Sequence, residues 1–155
     1  MIASNRTDLL MLAAFVIAVG LAAAFGAAFK PGPWYQTLAK PSWTPPNAVF
    51  APVWTLLYVM IAIAGWLVWR QGLTNGALAT WVVALVLNAA WSYLFFGRQQ
   101  IGLALADISL LWCAIVAFIL LTRTGAPTAS LLFVPYVLWV SFAAALNLAI
   151  WRLNA

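Results

Sequence analysis

The feature that most constrains this chain is where its few charges sit. Its seven basic and two acidic residues fall almost entirely between long apolar runs. The first run, Leu9 to Phe29, is closed by Lys30-Pro31-Gly32-Pro33. The second follows Pro45-Pro46 and ends at Trp69-Arg70. After a turn over Gly72 to Gly76, a third run covers about 77–96 and stops at Gly97-Arg98. The fourth, about 101–122, stops at Arg123, and the fifth, about 129–151, stops at Arg152. Each holds about 20 residues or more, which at about 1.5 Å rise per residue crosses a hydrocarbon core of about 30 Å. Lipid offers no partner to an unpaired backbone amide, so an open chain there must be helical. The sequence therefore predicts an all-α integral membrane protein. Residues 1–155 form one bundle of five transmembrane helices, about 9–29, 47–69, 77–96, 101–122 and 129–151, with loop 30–46 between the first two.

Composition agrees with lipid as the solvent. Two-thirds of the residues are apolar, 6% are charged, and ten tryptophans occur in 155 residues. A soluble fold of this size needs far more charge to cover its surface. A cleaved secretory signal is the alternative for the first run, because Arg6 precedes it. Its length without a charge exceeds the roughly 7–15 residues of a signal core. Arg6, Arg70 and Arg123 share one side of the membrane, and Lys30, Lys40, Arg98 and Arg152 the other, a small excess that favours the C-terminus inside. The net charge of +5 suits anionic lipid headgroups and calls for no nucleic acid.

The missing residues exclude several chemistries. There is no histidine, and the single cysteine, Cys113, lies mid-span, so no disulfide framework or metal-ligand cluster is expected. No serine–histidine pair, phosphate-cradling glycine loop or close carboxylate pair is present, which removes hydrolytic and phosphoryl-transfer machinery. Coupled ion transport is poorly supported by an odd number of spans without a repeat.

Three polar residues inside the runs stand out. Asp107 lies about 9 Å below the start of the fourth helix. A carboxyl at that depth is either functional or a hydrogen-bonded structural partner. Asn88 and Asn147 either bridge helices or point into a cavity.

The tryptophans divide by depth. Trp34, Trp43, Trp66, Trp69, Trp81 and Trp151 sit in the loop or near span ends, where an interfacial belt explains them. Trp54, Tyr58, Trp91 and Trp139 lie deeper. Trp54 and Tyr58 are four apart, Asn88 and Trp91 three apart, and Pro135, Trp139 and Ala143 repeat at four, so each set shares a helix face. Such faces either pack helix on helix or line a flat apolar cavity. Pro52 and Pro135 each remove a helix hydrogen bond, so kinks are expected in spans two and five. The proline- and tryptophan-rich segment from Lys30 to Pro46 reads as a cap over one mouth of the bundle or as an interfacial tether.

Together these stretches resemble the TspO/translocator protein family of tryptophan-rich sensory proteins and peripheral-type benzodiazepine receptors. The resemblance rests on Trp34-Tyr35, Lys40-Pro-Ser-Trp-Thr-Pro-Pro46, Pro52-Val-Trp54-Thr-Leu-Leu-Tyr58, Asn88-Ala-Ala-Trp91-Ser-Tyr-Leu-Phe-Phe96, Pro135-Tyr-Val-Leu-Trp139 and Leu146-Asn147 before Trp151-Arg152. These motifs run in family order over nearly the whole chain.

The resemblance implies a homodimer in a bacterial cell membrane, inner or outer. It also implies a pocket beneath the first loop that takes protoporphyrin IX or another tetrapyrrole and isoquinoline- or benzodiazepine-type ligands, with no cofactor required. By motif, the pocket positions are Tyr35, Pro45, Trp54, Tyr58, Asn88, Trp91, Ser92, Trp139 and Ala143. A porphyrin is a wide apolar plate with anionic edges, so indoles would stack on its faces and a Lys or Arg near the mouth would meet its propionates.

The chain departs from animal members at their sterol motif. The stretch Leu146-Asn-Leu-Ala-Ile-Trp-Arg152 lacks the required tyrosine, so sterol recognition of that kind is not expected. Gly20 with Ala24 and Ala22 with Gly26 offer close-packing faces, usable in a dimer or inside the monomer. Three functions follow: tetrapyrrole binding with a part in sensing or transport; light- and oxygen-dependent porphyrin breakdown, with Trp54 and Trp139 as the candidate catalytic residues; and a structural or partner-docking role.

Overall fold

The computed structural model describes residues 2–73 and 76–155, with side chains described from Arg6 onward. Five helices are long and apolar enough to cross a membrane. The bundle expected from the sequence is the observed fold. The elements are α1 (Ile2–Ala27), a short α2 (Pro33–Thr37), a 3-10 turn (Asn47–Val49), α3 (Phe50–Arg70), α4 (Gly76–Ser92) continued by a π-helical turn (Tyr93–Gly97), α5 (Ile101–Thr122) and α6 (Pro127–Asn154). Of the turn expected over Gly72 to Gly76, Thr74 and Asn75 lie outside the described residues. Gly72 takes a φ of 70°, a left-handed conformation that glycine adopts without steric cost.

α5 packs between α4 and α6, α3 lies against α6, and α1 lies against α3 and α4. The core interleaves alanines with large side chains such as Phe118, Phe133 and Tyr136, and leucines face outward, where lipid solvates them. Ala62, Ala64, Ala84, Ala104 and Ala129 are buried, whereas Leu9, Leu10, Leu21, Leu131 and Leu138 are exposed. Buried small residues let helix axes approach closely, and dispersion then acts over the whole contact. The tightest approach is at Gly65, where an added Cβ would lie 2.6 Å from Cε2 of Trp81 and 2.8 Å from Cδ1 of Phe15.

That packing corrects the expectation for Trp81. It is 3% exposed, its ring meets Phe15 edge-on at 5.1 Å, and its Nε1 donates to the Ile61 carbonyl at 2.8 Å. It is a core side chain that fills the space left by Gly65 and does not belong to an interfacial belt. Trp66 also has a specific partner, since its Nε1 donates to the Asp8 carbonyl at 3.1 Å. Arg70 lies 4.7 Å over the Trp66 ring and 3.6 Å from the Asp8 carboxylate. This cluster ties the beginning of α1 to the end of α3.

One of the two prolines departs from expectation. Pro52 falls in the first turn of α3, where its missing N–H would have no intrahelical acceptor, so it starts the helix and does not kink its middle. Pro135 does lie inside α6, and the helix continues through it with the ring on the exposed side. On α1, Gly26 packs within the monomer, where a Cβ would meet Ser92 Oγ at 3.3 Å; nothing lies within 4 Å of Gly20.

Candidate functional site

One end of the bundle encloses a cavity of about 500 Å³, within the usual range of small-molecule sites. It sits where α1 ends, α3 begins and the π-helical turn follows α4. Ala23 and Gly26 on α1 keep one wall thin, while Trp54, Trp91 and Trp139 bring indoles from α3, α4 and α6. Of the nine sequence-predicted positions, the structure brings Tyr35, Trp54, Tyr58, Asn88, Trp91, Ser92, Trp139 and Ala143 around this one space. Pro45 is not among its lining residues. It stands on the strap that leads into the 3-10 turn, and Asn47 and Phe50 occupy the wall beyond it.

Helical spacing explains the convergence. Trp54 and Tyr58, four apart on α3, stack at 5.5 Å with planes 28° apart. The Tyr58 hydroxyl donates to Asn88 Oδ1 at 3.0 Å, and Asn88 Nδ2 donates to the Tyr136 hydroxyl at 3.0 Å. A single amide thus joins α3, α4 and α6. Asn147 does the same on the other side, accepting from Trp91 Nε1 at 3.0 Å and donating to the Ile101 carbonyl at 3.0 Å. Both asparagines therefore bridge helices and line the cavity as well.

Two buried polar atoms have no hydrogen-bond partner among the described residues: Trp139 Nε1 and Asp107 Oδ2. Trp139 lines the cavity with part of its ring, while its indole N–H is buried without a partner. Buried donors normally find partners, and an unpaired one carries a desolvation cost. Asp107 is buried but is not a lining residue; Ile108 and Leu111, on the same stretch of α5, are. Of the two readings of Asp107, the hydrogen-bonded structural one finds no partner at Oδ2 among the described residues.

The roof comes from the loop. Tyr35 on α2 is buried, with its ring edge-on to Phe95 at 6.1 Å and to Phe96 at 5.4 Å. Burial raises its phenol above the ordinary range, so the side chain is neutral at physiological pH. Lys40 lies 4.6 Å over the Tyr35 ring, and its Nζ donates to the Leu38 carbonyl at 3.0 Å. Lys30 lines the mouth.

Phe95 and Phe96 were not singled out as site residues by sequence reasoning. Phe95 stands four residues after Trp91 and Phe96 four after Ser92, so the spacing that groups the other lining residues was a signal that could have found them. Both lie in the π-helical turn, which closes with a bond from Arg98 N to the Tyr93 carbonyl at 2.7 Å. Such turns mark functional sites often enough to be informative. Trp91 stacks on Phe95 at 5.1 Å and meets Phe96 edge-on at 5.8 Å.

Comparison with known proteins bears directly on this arrangement. Residues 12–152 match the TspO/MBR family. The chain belongs to the TspO/MBR family. It is 38% identical to Protein CrtK of Rhodobacter capsulatus over 151 residues, covering 95% of this chain and 94% of that one. It is 43% identical to the Tryptophan-rich protein TspO of Chlorobaculum tepidum over 145 residues, 89% and 90% of the two chains. Similarity extends to the human Translocator protein, 38% identical over 148 residues, 90% of this chain and 88% of the human one. With its five apolar spans, this TspO/MBR family member is an integral membrane protein, and membership supports a membrane sensor or receptor role.

Proposed function

We propose that the protein is a membrane receptor for tetrapyrroles, with protoporphyrin IX as the representative ligand, and that binding serves their sensing or transport. The observation that carries this reading is the convergence of Trp54, Trp91 and Trp139, from three helices, on one cavity. The three indoles offer flat apolar surface, and Lys30 offers a cation at the mouth. Isoquinoline- and benzodiazepine-type compounds, which are flat and largely apolar, fit the same description. The proposed setting is a bacterial cell membrane, and the proposed assembly a homodimer.

A second reading is supported by the stacked pair Trp54 and Tyr58. Redox-active side chains beside a bound photosensitiser are suited to its breakdown by light and molecular oxygen. Titration of protoporphyrin IX into detergent-solubilised protein distinguishes the readings. Receptor binding gives saturable tryptophan quenching with shifted porphyrin bands; breakdown adds bleaching under illumination; a purely structural or docking protein gives neither.

A further inference from the structure

One side chain near the far end of the chain hydrogen-bonds the loop over the cavity. Asn154, in the last turn of α6, accepts at Oδ1 from the Ala39 N–H at 3.0 Å and donates from Nδ2 to the Ala39 carbonyl at 2.9 Å. Its second Nδ2 hydrogen goes to the Ile150 carbonyl at 2.7 Å. The amide thus forms a closed pair with one peptide unit, as a neighbouring β-strand would, while anchored to its own helix. Both donors of the side chain are used, and it offers the N–H and C=O of Ala39 the complementary groups they need.

The position of Ala39 gives this pair its consequence. It lies between Tyr35, which roofs the cavity, and Lys40, which lies over the Tyr35 ring. On one side α2 is held by side-chain packing: Trp34 and Tyr35 meet Phe95 and Phe96, in a cluster that includes Leu38, Leu146 and Ile150. On the other, Trp43 leans on Phe142 and is itself 49% exposed. Asn154 therefore supplies a directional attachment at the middle of the lid, and it does so at an exposed site where water competes for each bond. An attachment of that kind opens more readily than the buried bonds of the bundle.

We infer that Asn154 is a positioning residue that latches the loop over the cavity and sets how fast a ligand enters and leaves. The inference rests on the receptor reading for its ligand, but the latch itself does not. Removing it favours the open lid in both empty and occupied protein, so association and dissociation quicken together and affinity changes little. Asn154 is not among the lining residues, which separates its effect from lost ligand contacts.

Two measurements on full-length protein test this. Hydrogen–deuterium exchange without ligand reads the latch directly. Asn154→Ala is expected to raise exchange across residues 33–40 at least tenfold with the spans unaffected. Asn154→Asp, which still accepts but no longer donates, should fall between it and wild type, and Leu138→Ala, an exposed position elsewhere on α6, should match wild type. Stopped-flow quenching by protoporphyrin IX reads the gate, with both rate constants rising about tenfold in Asn154→Ala and Kd staying within about threefold. Unchanged lid exchange in Asn154→Ala overturns the latch, and faster exchange with unchanged ligand rates overturns its gating role. Absence of saturable quenching in wild type overturns the receptor reading instead, and lid exchange then decides the latch by itself.

Discussion

The Tyr58 hydroxyl and Asn88 Oδ1 are 3.0 Å apart, and this bond closes a polar bridge across an apolar cavity. Because Asn88 also donates to Tyr136, its replacement by leucine removes bonds to two other helices and leaves two phenols without that partner. In a lipid-embedded bundle the expected destabilisation is about 1–2 kcal/mol. A lowered thermal midpoint in detergent checks it, and an unchanged midpoint would mean that the bridge contributes nothing to packing.

Gly65→Ala should be as costly, for the opposite reason. Its Cβ would stand 2.6 Å from Cε2 and 2.7 Å from Nε1 of Trp81, both ring atoms of a side chain that is itself bonded to Ile61. Neither can yield without moving α4 away from α3, so overpacking of about 1–3 kcal/mol is expected. The readout is a fall in thermal stability accompanied by altered near-ultraviolet dichroism from Trp81.

Trp139→Phe separates folding from function. The indole N–H has no partner, so its removal takes no hydrogen bond from the bundle and relieves a buried, unpaired donor. Stability should stay within about 1 kcal/mol of wild type, while affinity for protoporphyrin IX drops about tenfold, the equivalent of about 1.4 kcal/mol. Melting curves and quenching titrations on the same samples provide both numbers.

Lys30→Gln tests the anionic edge of the ligand. Lys30 is an exposed mouth residue, so its attraction is screened by salt and modest, about two- to fivefold in Kd at low ionic strength. The loss should disappear for the dimethyl ester of protoporphyrin IX, which has no carboxylates. Equal losses for acid and ester would assign Lys30 a packing role.

Much of this site is legible in sequence because helical periodicity is local. Trp54 with Tyr58, and Trp139 with Ala143, share a face through spacing alone, and the charges that interrupt the apolar runs fix where each face begins and ends. What was not legible depends on pairs distant in the chain. Trp81 lies near the start of its run and reads as interfacial; its burial is set by Gly65 on another helix. Pro45 carries a family motif, yet the strap passes over the mouth with Asn47 and Phe50 on the wall. Trp112 belongs to neither depth group; it sits exposed on α5 with its Nε1 bonded to Ser141 Oγ at 2.8 Å, joining α5 to α6 on the lipid side. Asn154 and Ala39 are 115 residues apart, a separation at which no periodicity speaks.

The most direct test of the central claim is equilibrium titration of protoporphyrin IX in the dark, followed by tryptophan fluorescence, with wild type, Trp54→Phe and Trp139→Phe side by side. The receptor reading predicts saturable quenching in wild type and weaker binding in both variants, whose bundles remain folded. Quenching that rises linearly without saturation, or saturable binding identical in all three proteins, would contradict it.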